Sequence, residues 1–308
     1  MDIDILKFGG TSLGNAKTIS AVVQIISHKL EQKKLGIVVS AVGGITNFLV
    51  ESICSTLAGQ NVSTIAQVFK KHHLKIIDEL HVNQKNCSMN LAINMIETLT
   101  LELEVHLEHV LIMGYCNLDY YCKILSLGER ASSSILVSLL QSLPYKIISL
   151  DPQMIIKTTG PQHEGIPLLP IVQSNFQKVI QQDHVCFVMA GFIGQTLHGK
   201  ISLLGRNSSD YSGSLMAAGF NANSYEIWTD VDGIFDSDPR KNPNAQQIEE
   251  LSYTEAFSEK FQHAKVLHPK TLTILIDQQI PVYIKNTFNP AHKGTKIFYD
   301  QHIEYKPD

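Results

Sequence analysis

The start of the chain contains a strand–helix–strand pattern, and this pattern restricts the folds that are open to it. An apolar run from Ile3 to Phe8 stops at Gly9 and Gly10. Apolar residues at helical spacing follow as far as Leu30, and a β-branched run then extends from Leu35 to Ala41. Two strands joined by one helix predict a parallel pair with a right-handed crossover. The pattern therefore predicts an α/β fold with a buried parallel sheet.

The remaining apolar patterns extend this scheme. Positions 63–110 hold two amphipathic helical stretches, and a third helix is predicted from about Glu129 to Leu143, before Pro144. Further strands are predicted at "YKIISLD", "VCFVMAGFIG", "KISLLGR", "YEIWTDVDG" and "PVYIKNT", with a turn at His198–Gly199 and a capping box from Ser252 to Glu255. No Pro/Gly-rich linker interrupts the chain. We expect one α/β unit with a mostly parallel open sheet between helices and two lobes.

Composition and charge exclude several classes of protein. The formal net charge of -4 and the absence of a basic stripe argue against nucleic acid as a partner. The first residues show no secretory signal, and the longest apolar stretch, around Val185 to Gly194, is too short to span a membrane. Five cysteines without metal spacing indicate reduced thiols, so a cytoplasmic location is expected. His106 and His109 could contact one metal, but an exposed helix face is the favoured interpretation.

The glycines after the first strand nearly match a phosphate-binding loop. Gly9 and Gly14 have P-loop spacing, but Asn15 follows where that loop needs lysine. Thr11 stands where a dinucleotide fingerprint needs its middle glycine, which disfavours a dehydrogenase. Backbone N–H groups at Gly9 and the next glycine can point at a bulky anion, and Lys7 can add its charge. An ordinary strand-to-helix turn with a surface lysine explains the same residues equally well.

Three later loops carry polar residues that also suit a ligand. The loop Ser40–Asn47 contains two glycines and leads into a helix, whose N-terminus attracts anions. After "KISLL", Ser209 or Asp210 is predicted to cap a helix, and the guanidinium of Arg206 suits a carboxylate or phosphate. The loop 229–241 departs from the EF-hand pattern and could instead hydrogen-bond a nucleotide. In open parallel sheets such loops lie together at one edge, so a ligand site is predicted there.

Seven segments in this order resemble the catalytic domain of aspartate kinases in the amino-acid kinase family. They are "KFGGTSLGN", "SAVGGITN", "SLGERASS", "LGRNSSDYS", "WTDVDGIFDSDPRKNPNA", "AKVLHPKTL" and "IPVYIKNTFNP" with the later "GT". The wording is most similar to the kinase part of aspartokinase–homoserine dehydrogenases. The resemblance implies Mg²⁺- and ATP-dependent phosphorylation of the side-chain carboxylate of L-aspartate, the first step of lysine, threonine and methionine biosynthesis. A non-catalytic nucleotide- or amino-acid-binding relative and a sister kinase acting on another carboxylate remain alternatives.

The resemblance also implies a role for individual residues. Lys7 would stabilise the transferring phosphoryl group, and Asp210 would orient Lys7. The residues implied to bind aspartate are Ser40, Thr46, Glu129, Arg206 and Ser209, with Glu129 on the ammonium and Arg206 on the α-carboxylate. The residues implied to surround ATP are Lys7, Gly9, Gly10, Thr229, Asp230, Phe235, Arg240 and Lys265, while Mg²⁺ is held mainly by phosphates. A helix N-terminal acid is the alternative interpretation of Glu129, and a solvated lysine is that of Lys265.

The resemblance assigns the lobes and marks departures from the family. The N-lobe, about 1–150, would bind aspartate, the C-lobe, about 151–300, would bind ATP, and 301–308 would form a tail. We expect no regulatory ACT domain within the chain, and apolar helices of the first half could supply a homodimer interface. Ser208 stands at a usual glycine, which would strain the backbone if a positive φ is required there. Phe235 replaces a usual tyrosine, and His263 a common glycine.

Overall fold

A computed structural model describes residues 2–83, 88–180, 185–205, 208–237, 241–242, 244–258 and 269–300. The strands in chain order are β1 (Ile3–Phe8), β2 (Lys34–Val39), β3 (Lys146–Leu150), β4 (Lys157–Thr159), β5 (Ile166–Pro167), β6 (Val185–Ala190), β7 (Ile193–Thr196), β8 (Ile201–Leu203), β9 (Ser224–Thr229), β10 (Ile234–Phe235), β11 (Gln247–Ile248), β12 (Glu250–Ser252), β13 (Val282–Asn286) and β14 (Thr295–Phe298). The helices are α1 (Ala16–Leu30), α2 (Ile45–Leu57), α3 (Val62–Asn83), α4 (Asn90–Met113), α5 (Leu118–Leu140), α6 (Pro152–Ile155), α7 (Leu169–Val179), α8 (Ser209–Phe220), α9 (Tyr253–Phe257) and α10 (Pro269–Ile276), with a 3-10 turn at Gln162–Glu164.

The central sheet has eight strands in the order β12-β14-β13-β9-β1-β2-β6-β3. β1 pairs in parallel with β2 on one side and with β9 on the other. Only the β13–β14 pair among its neighbours is antiparallel within the described residues. The predicted α/β class, the mostly parallel sheet and the parallel crossover between the first two strands are therefore confirmed.

Both faces of the central sheet are covered, because successive residues of each strand point to opposite sides. Leu6 and Phe8 of β1 pack into a core formed with α1 to α5. Ile3 and Ile5 of the same strand pack into a second core, to which α7, α8 and α10 contribute. Burial on both faces explains why the strands read as continuous apolar runs in the sequence rather than as alternating ones.

One predicted strand, "VCFVMAGFIG", is in fact two strands in two sheets. β6 belongs to the central sheet, whereas β7 belongs to a four-stranded sheet in the order β5-β4-β7-β8. The change occurs at Gly191 and Phe192, and Phe192 has a positive φ of 70°. Its N–H donates to the hydroxyl of Ser212 at 2.8 Å, which holds this unusual backbone in place.

Two predicted helix starts are wrong. α5 begins after Asn117, whose side chain accepts from the Tyr120 N–H, and not near Glu129. α8 is preceded by Ser208, which makes no side-chain cap hydrogen bond, so neither Ser209 nor Asp210 is the cap. Both lie in the first turn. The capping box at Ser252 and the two amphipathic helices across 63–110 are confirmed.

Several other expectations concern the cysteines, two histidines and membrane-spanning segments. Cys54, Cys116, Cys122 and Cys186 are free thiols, and Cys87 lies outside the described residues. His106 and His109 lie against the Tyr120 ring, and no group of three or more ligating side chains occurs in the described ranges. None of the helices described has the length and hydropathy needed to cross a bilayer.

Helix α4 presents apolar side chains to solvent. Leu91 is 60% exposed, Leu101 63% and Ile112 84%. The homodimer interface stays a prediction.

Candidate active site

Three of the four loops predicted to carry ligands, those after β1, β2 and β9, lie at the carboxyl edge of the central sheet, whereas the loop after "KISLL" follows β8 of the smaller sheet. β2, β1 and β9 are neighbours in parallel register, so the segments that follow them are adjacent in space. The Gly9 N–H donates to the Trp228 carbonyl at 3.2 Å, and the Ser40 N–H donates to the Phe8 carbonyl at 3.1 Å. These bonds join the ends of three strands into one polar surface, as the topology of an open parallel sheet requires.

The two predicted catalytic residues form an ion pair at this edge. Lys7 Nζ, at the end of β1, lies 2.5 Å from Asp210 Oδ1 in the first turn of α8. Both side chains are largely buried, which strengthens their attraction relative to a surface pair. The hydroxyl of Tyr225 donates to the Asp210 carbonyl at 2.8 Å and anchors that turn. The structure therefore brings together two residues that lie far apart in the sequence.

The two glycine loops contact each other. The Gly43 N–H donates to the Gly10 carbonyl at 3.1 Å. A Cβ added at Gly10 would lie 3.0 Å from the Ala41 carbonyl oxygen, so a side chain there would push the loops apart. One expectation is corrected. The Gly9 N–H is not free for an anion, because it bonds to Trp228, which leaves Gly10 as the candidate backbone donor.

Glu129 lies in the middle of α5 and faces the loop after β2. The residue is 4% exposed, and its Oε2 has no hydrogen-bond partner. Burial raises its pKa to about 8, although a backbone hydrogen bond from Ala41 partly opposes this. The alternative interpretation as a helix N-terminal acid is wrong, since α5 begins eleven residues earlier at Leu118. A buried carboxyl group with one oxygen left without a partner suits a cationic ligand.

Helix α5 can approach this loop closely because it carries small residues on the facing side. A Cβ at Gly128 would lie 2.9 Å from the Ala41 Cβ. The Ser132 hydroxyl donates to the Ser40 carbonyl at 2.6 Å. Glu129 is thereby fixed beside Ser40, and Thr46 lies partly exposed in the first turn of α2.

Several residues predicted to surround the nucleotide follow β9. The Thr229 carbonyl accepts from the Thr287 N–H at 2.9 Å, and the Thr229 hydroxyl donates to Asp230 Oδ1 at 3.2 Å. Phe235 is partly exposed in β10, which pairs with β11.

Ser209, which is predicted to bind aspartate, is buried against Gly191. A Cβ added at Gly191 would lie 2.8 Å from the Ser209 Cβ.

Some predicted residues lie outside the described residues, namely Arg206, Arg240, Lys265 and His263. Their proposed contacts stay predictions. Ser208 is described and has a φ of -91°, so serine causes no positive-φ strain at this position.

Three residues with no role predicted from the sequence organise the edge. Ser12 and Thr287 bring their hydroxyl oxygens within 2.7 Å of each other. Asp232 accepts from the side-chain amides of Asn286 and Asn289 at 2.9 and 3.1 Å, which fixes the loop after β9. The signal was present in "GGTS", "DVDG" and "KNTFN", where polar residues directly follow three neighbouring strands.

The sequence of this chain is similar to those of known proteins. The family model described as "Amino acid kinase family" matches residues 3–286. The chain belongs to the amino acid kinase family. A bifunctional aspartokinase/homoserine dehydrogenase from Buchnera aphidicola is 35% identical over 295 residues, covering 95% of this chain and 36% of that relative. An aspartokinase from Chlamydia pneumoniae is 32% identical over 305 residues, covering 98% and 64%. This amino acid kinase thus spans about a third of the first relative and under two thirds of the second.

Solved structures extend the likeness to three dimensions. The crystal structure of E. coli aspartokinase III in complex with aspartate and ADP superposes with a TM-score of 0.84 at 25% identity, covering 98% of this chain and 65% of that one. Uridylate kinase from Archaeoglobus fulgidus matches with a TM-score of 0.51 at 15% identity, which shows the fold alone. Because a nucleotide kinase shares the architecture, the acceptor has to be argued from the site.

Proposed function

We propose that this amino acid kinase is an aspartate kinase that transfers the γ-phosphoryl group of ATP to the side-chain carboxylate of L-aspartate. The product would be 4-phospho-L-aspartate, which feeds lysine, threonine and methionine biosynthesis. The observation that carries the proposal is the Lys7–Asp210 ion pair at 2.5 Å beside the two glycine loops. The similarity to aspartokinases over 95–98% of the chain supports the choice of acceptor.

The proposed phosphoryl transfer requires positioning of the reactants rather than proton transfer. The aspartate carboxylate has a free pKa of about 3.9, so it is ionised at neutral pH and needs no general base. Charge builds up on the phosphoryl oxygens in the transition state. Lys7 would stabilise that charge, and Asp210 would hold the ammonium in place. The free-energy cost of burying the charge of Lys7 or of Asp210 is offset by its attraction to the opposite charge.

Aspartate would lie between α5 and the loop after β2. Glu129 would pair with the substrate ammonium, because its buried Oε2 lacks a partner. Arg206 would bind the α-carboxylate through its planar guanidinium. Ser40, Thr46 and Ser209 would supply hydroxyl groups to the remaining oxygens.

ATP would lie on the side of β9. Gly10 would donate its N–H to a phosphate, since the Gly9 N–H is already bonded. The residues proposed around the rest of the nucleotide are Thr229, Asp230, Phe235, Arg240 and Lys265. This arrangement would place aspartate in an N-lobe of about 1–150 and ATP in a C-lobe of about 151–300, with phosphoryl transfer between them.

Mg²⁺ would be held mainly by the phosphates of ATP. Mg²⁺ prefers oxygen ligands and keeps several waters. The Asp210 Oδ1 atom already lies 2.5 Å from the Lys7 ammonium, so it is committed to that cation. When bound, Mg²⁺ would neutralise phosphate charge. The lysine, the Gly10 N–H and the carboxyl group of Glu129 would act independently of it.

The experiment that tests the proposal is acyl phosphate formation from aspartate and Mg-ATP, trapped by hydroxylamine. We expect product from the wild type and at least a hundredfold loss in Lys7→Ala. Lys33→Ala is a matched control, because Lys33 pairs with Asp4 at 3.0 Å near the opposite end of β1. Calorimetric binding without turnover would instead support a non-catalytic relative. Turnover with another acid in place of aspartate would identify a sister kinase.

A further inference from the structure

Two buried hydroxyl groups meet between the first glycine loop and the end of β13. Ser12 Oγ lies 2.7 Å from Thr287 Oγ1, and the two residues are 0% and 1% exposed. Ser12 Oγ also lies 3.4 Å from the Trp228 carbonyl oxygen, the same atom that accepts from the Gly9 N–H. Because both hydroxyls are buried, neither can contact a ligand directly.

The pair is one link in a hydrogen-bonded series across the carboxyl edge. On one side, the Thr287 N–H donates to the carbonyl of Thr229, a proposed nucleotide residue, at 2.9 Å. On the other side, the loop that contains Ser12 turns back on itself, since the Leu13 N–H donates to the Gly10 carbonyl at 3.3 Å. Gly10 in turn contacts the second glycine loop. The hydroxyl pair is therefore a side-chain connection between the end of β9 at Thr229 and the loop that contains Gly10 and Ser12.

We propose that Ser12 and Thr287 are positioning residues for ATP, and this inference rests on the proposed kinase function. Their hydroxyl pair would fix the distance between the loop at Gly10 and the end of β9, where Thr229 lies. The γ-phosphate would then be held in line with Lys7. A misplacement of about 1 Å can cost roughly a hundredfold in rate. Loss of either hydroxyl is expected to lower kcat/KM for ATP by about 10- to 100-fold.

The KM for aspartate should change little. The aspartate side is held separately, by the Ser132 hydroxyl on the Ser40 carbonyl at 2.6 Å. A loss confined to ATP distinguishes positioning of the nucleotide from general loosening of the fold.

The variants are Ser12→Ala, Thr287→Val and the double variant, with Thr287→Ser as the form that keeps the hydroxyl. Since the two groups act through one contact, the double variant should lose no more activity than either single one. Thr287→Ser should restore most of the wild-type kcat/KM for ATP. Affinity for Mg-ADP, measured by calorimetry, should fall in the same variants and gives a readout that needs no turnover.

The chain offers a matched control pair. Thr158 and Ser202 also bring their hydroxyls within 2.7 Å and are 1% and 0% exposed, but they lie on β4 and β8 in the smaller sheet. Thr158→Val with Ser202→Ala should lower the melting temperature and leave kcat/KM for ATP unchanged. This control separates loss of a buried hydroxyl pair from loss of a pair at the cleft.

The outcomes separate the inference from the function. A wild type that forms no acyl phosphate with aspartate would refute the proposed function, and the Mg-ADP affinities would still decide the inference. Wild-type kinetics and Mg-ADP affinity in Ser12→Ala and Thr287→Val would overturn the inference. It is equally overturned if the control pair loses as much kcat/KM for ATP, or if aspartate and ATP are affected alike.

Discussion

Replacing Glu129 by glutamine removes one charge from the proposed aspartate site while keeping the size of the side chain. Burial raises the pKa of this carboxyl group from 4.5 to about 8. At 1.36 kcal/mol per pKa unit, this shift disfavours the ionised form by on the order of 5 kcal/mol relative to an exposed carboxyl group, and ionising Glu129 at pH 7 without a partner costs about 1.4 kcal/mol. An ammonium about 4 Å away, at an effective dielectric constant of about 20, returns about 4 kcal/mol. This attraction exceeds the cost of ionisation at pH 7, so a substrate ammonium should drive Glu129 to ionise.

The sign of the pH dependence follows from this. At pH 7 a group with a pKa of about 8 is about nine-tenths protonated, so aspartate binding should release about 0.9 proton. The ionised form binds the ammonium, and kcat/KM for aspartate should rise roughly tenfold per pH unit from 6 until it levels near pH 8. The free energy of unfolding depends on pH in the opposite direction. The unliganded protein should lose free energy of unfolding as the pH rises from about 4.5 through 8, because the folded state binds the extra proton.

The assay is steady-state kinetics across pH 6 to 8, joined to calorimetry of aspartate binding in buffers of different ionisation enthalpy. Glu129→Gln should raise the KM for aspartate about 10- to 100-fold, the value of a lost charged hydrogen bond, and leave the KM for ATP unchanged. Its pH slope and its proton release should both vanish. Glu102→Gln is the control, since Glu102 pairs with Arg130, the neighbour of Glu129 on α5.

The reasoning fails if Glu129→Gln keeps the wild-type KM for aspartate and the wild-type pH profile. It also fails if the wild type releases no proton on binding aspartate, because a buried protonated carboxyl group could not then be the partner of the ammonium. A shift of the same size in Glu102→Gln would point to a disturbance of α5 as a whole.

Two further predictions concern the residues proposed to bind the phosphates. Asp210→Asn should lower kcat by about 10- to 100-fold with a smaller change in KM, because Lys7 loses its orienting partner. Steady-state kinetics measure this change, and an unchanged kcat would refute the prediction. Gly10→Ala should lower kcat/KM for ATP by at least tenfold, because the new Cβ would lie 3.0 Å from the Ala41 carbonyl oxygen; full activity would show that the two loops can separate without harm.

The sequence predicts the central sheet well because that part of the fold rests on local patterns. The continuous apolar runs of β1 and β2 reflect burial on both faces, and the helical spacing of apolar residues in α1 marks its buried face. The start of α5 was missed for a physical reason. Gly128 lowers helix propensity by about 1 kcal/mol relative to alanine, yet the tertiary contact with Ala41 requires a residue without a side chain there. Packing, which the sequence does not display, overrides propensity at this point.

The split of β6 and β7 has a similar cause. A continuous apolar run does not show where a chain leaves one sheet for another. The change depends on the positive φ of Phe192, and the bond that supports it comes from Ser212, which is 20 residues away. The occupation of the Gly9 N–H by Trp228 is also a tertiary contact. Residue types and loop order predict which loops lie at the carboxyl edge, but not which of their N–H groups are already hydrogen-bonded.

Location, more than burial, distinguishes the two ion pairs at the ends of β1. Asp4 near the amino end pairs with Lys33 at 3.0 Å, and Lys7 near the carboxyl end pairs with Asp210 at 2.5 Å. Each pair satisfies a buried charge, which any folded protein needs. Of the two, the second lies beside the glycine loops that are proposed to bind phosphate. Asp4→Asn should therefore cost stability alone, whereas Asp210→Asn should cost turnover. Equal losses of kcat in both variants would mean that the ion pairs serve the strand rather than the reaction.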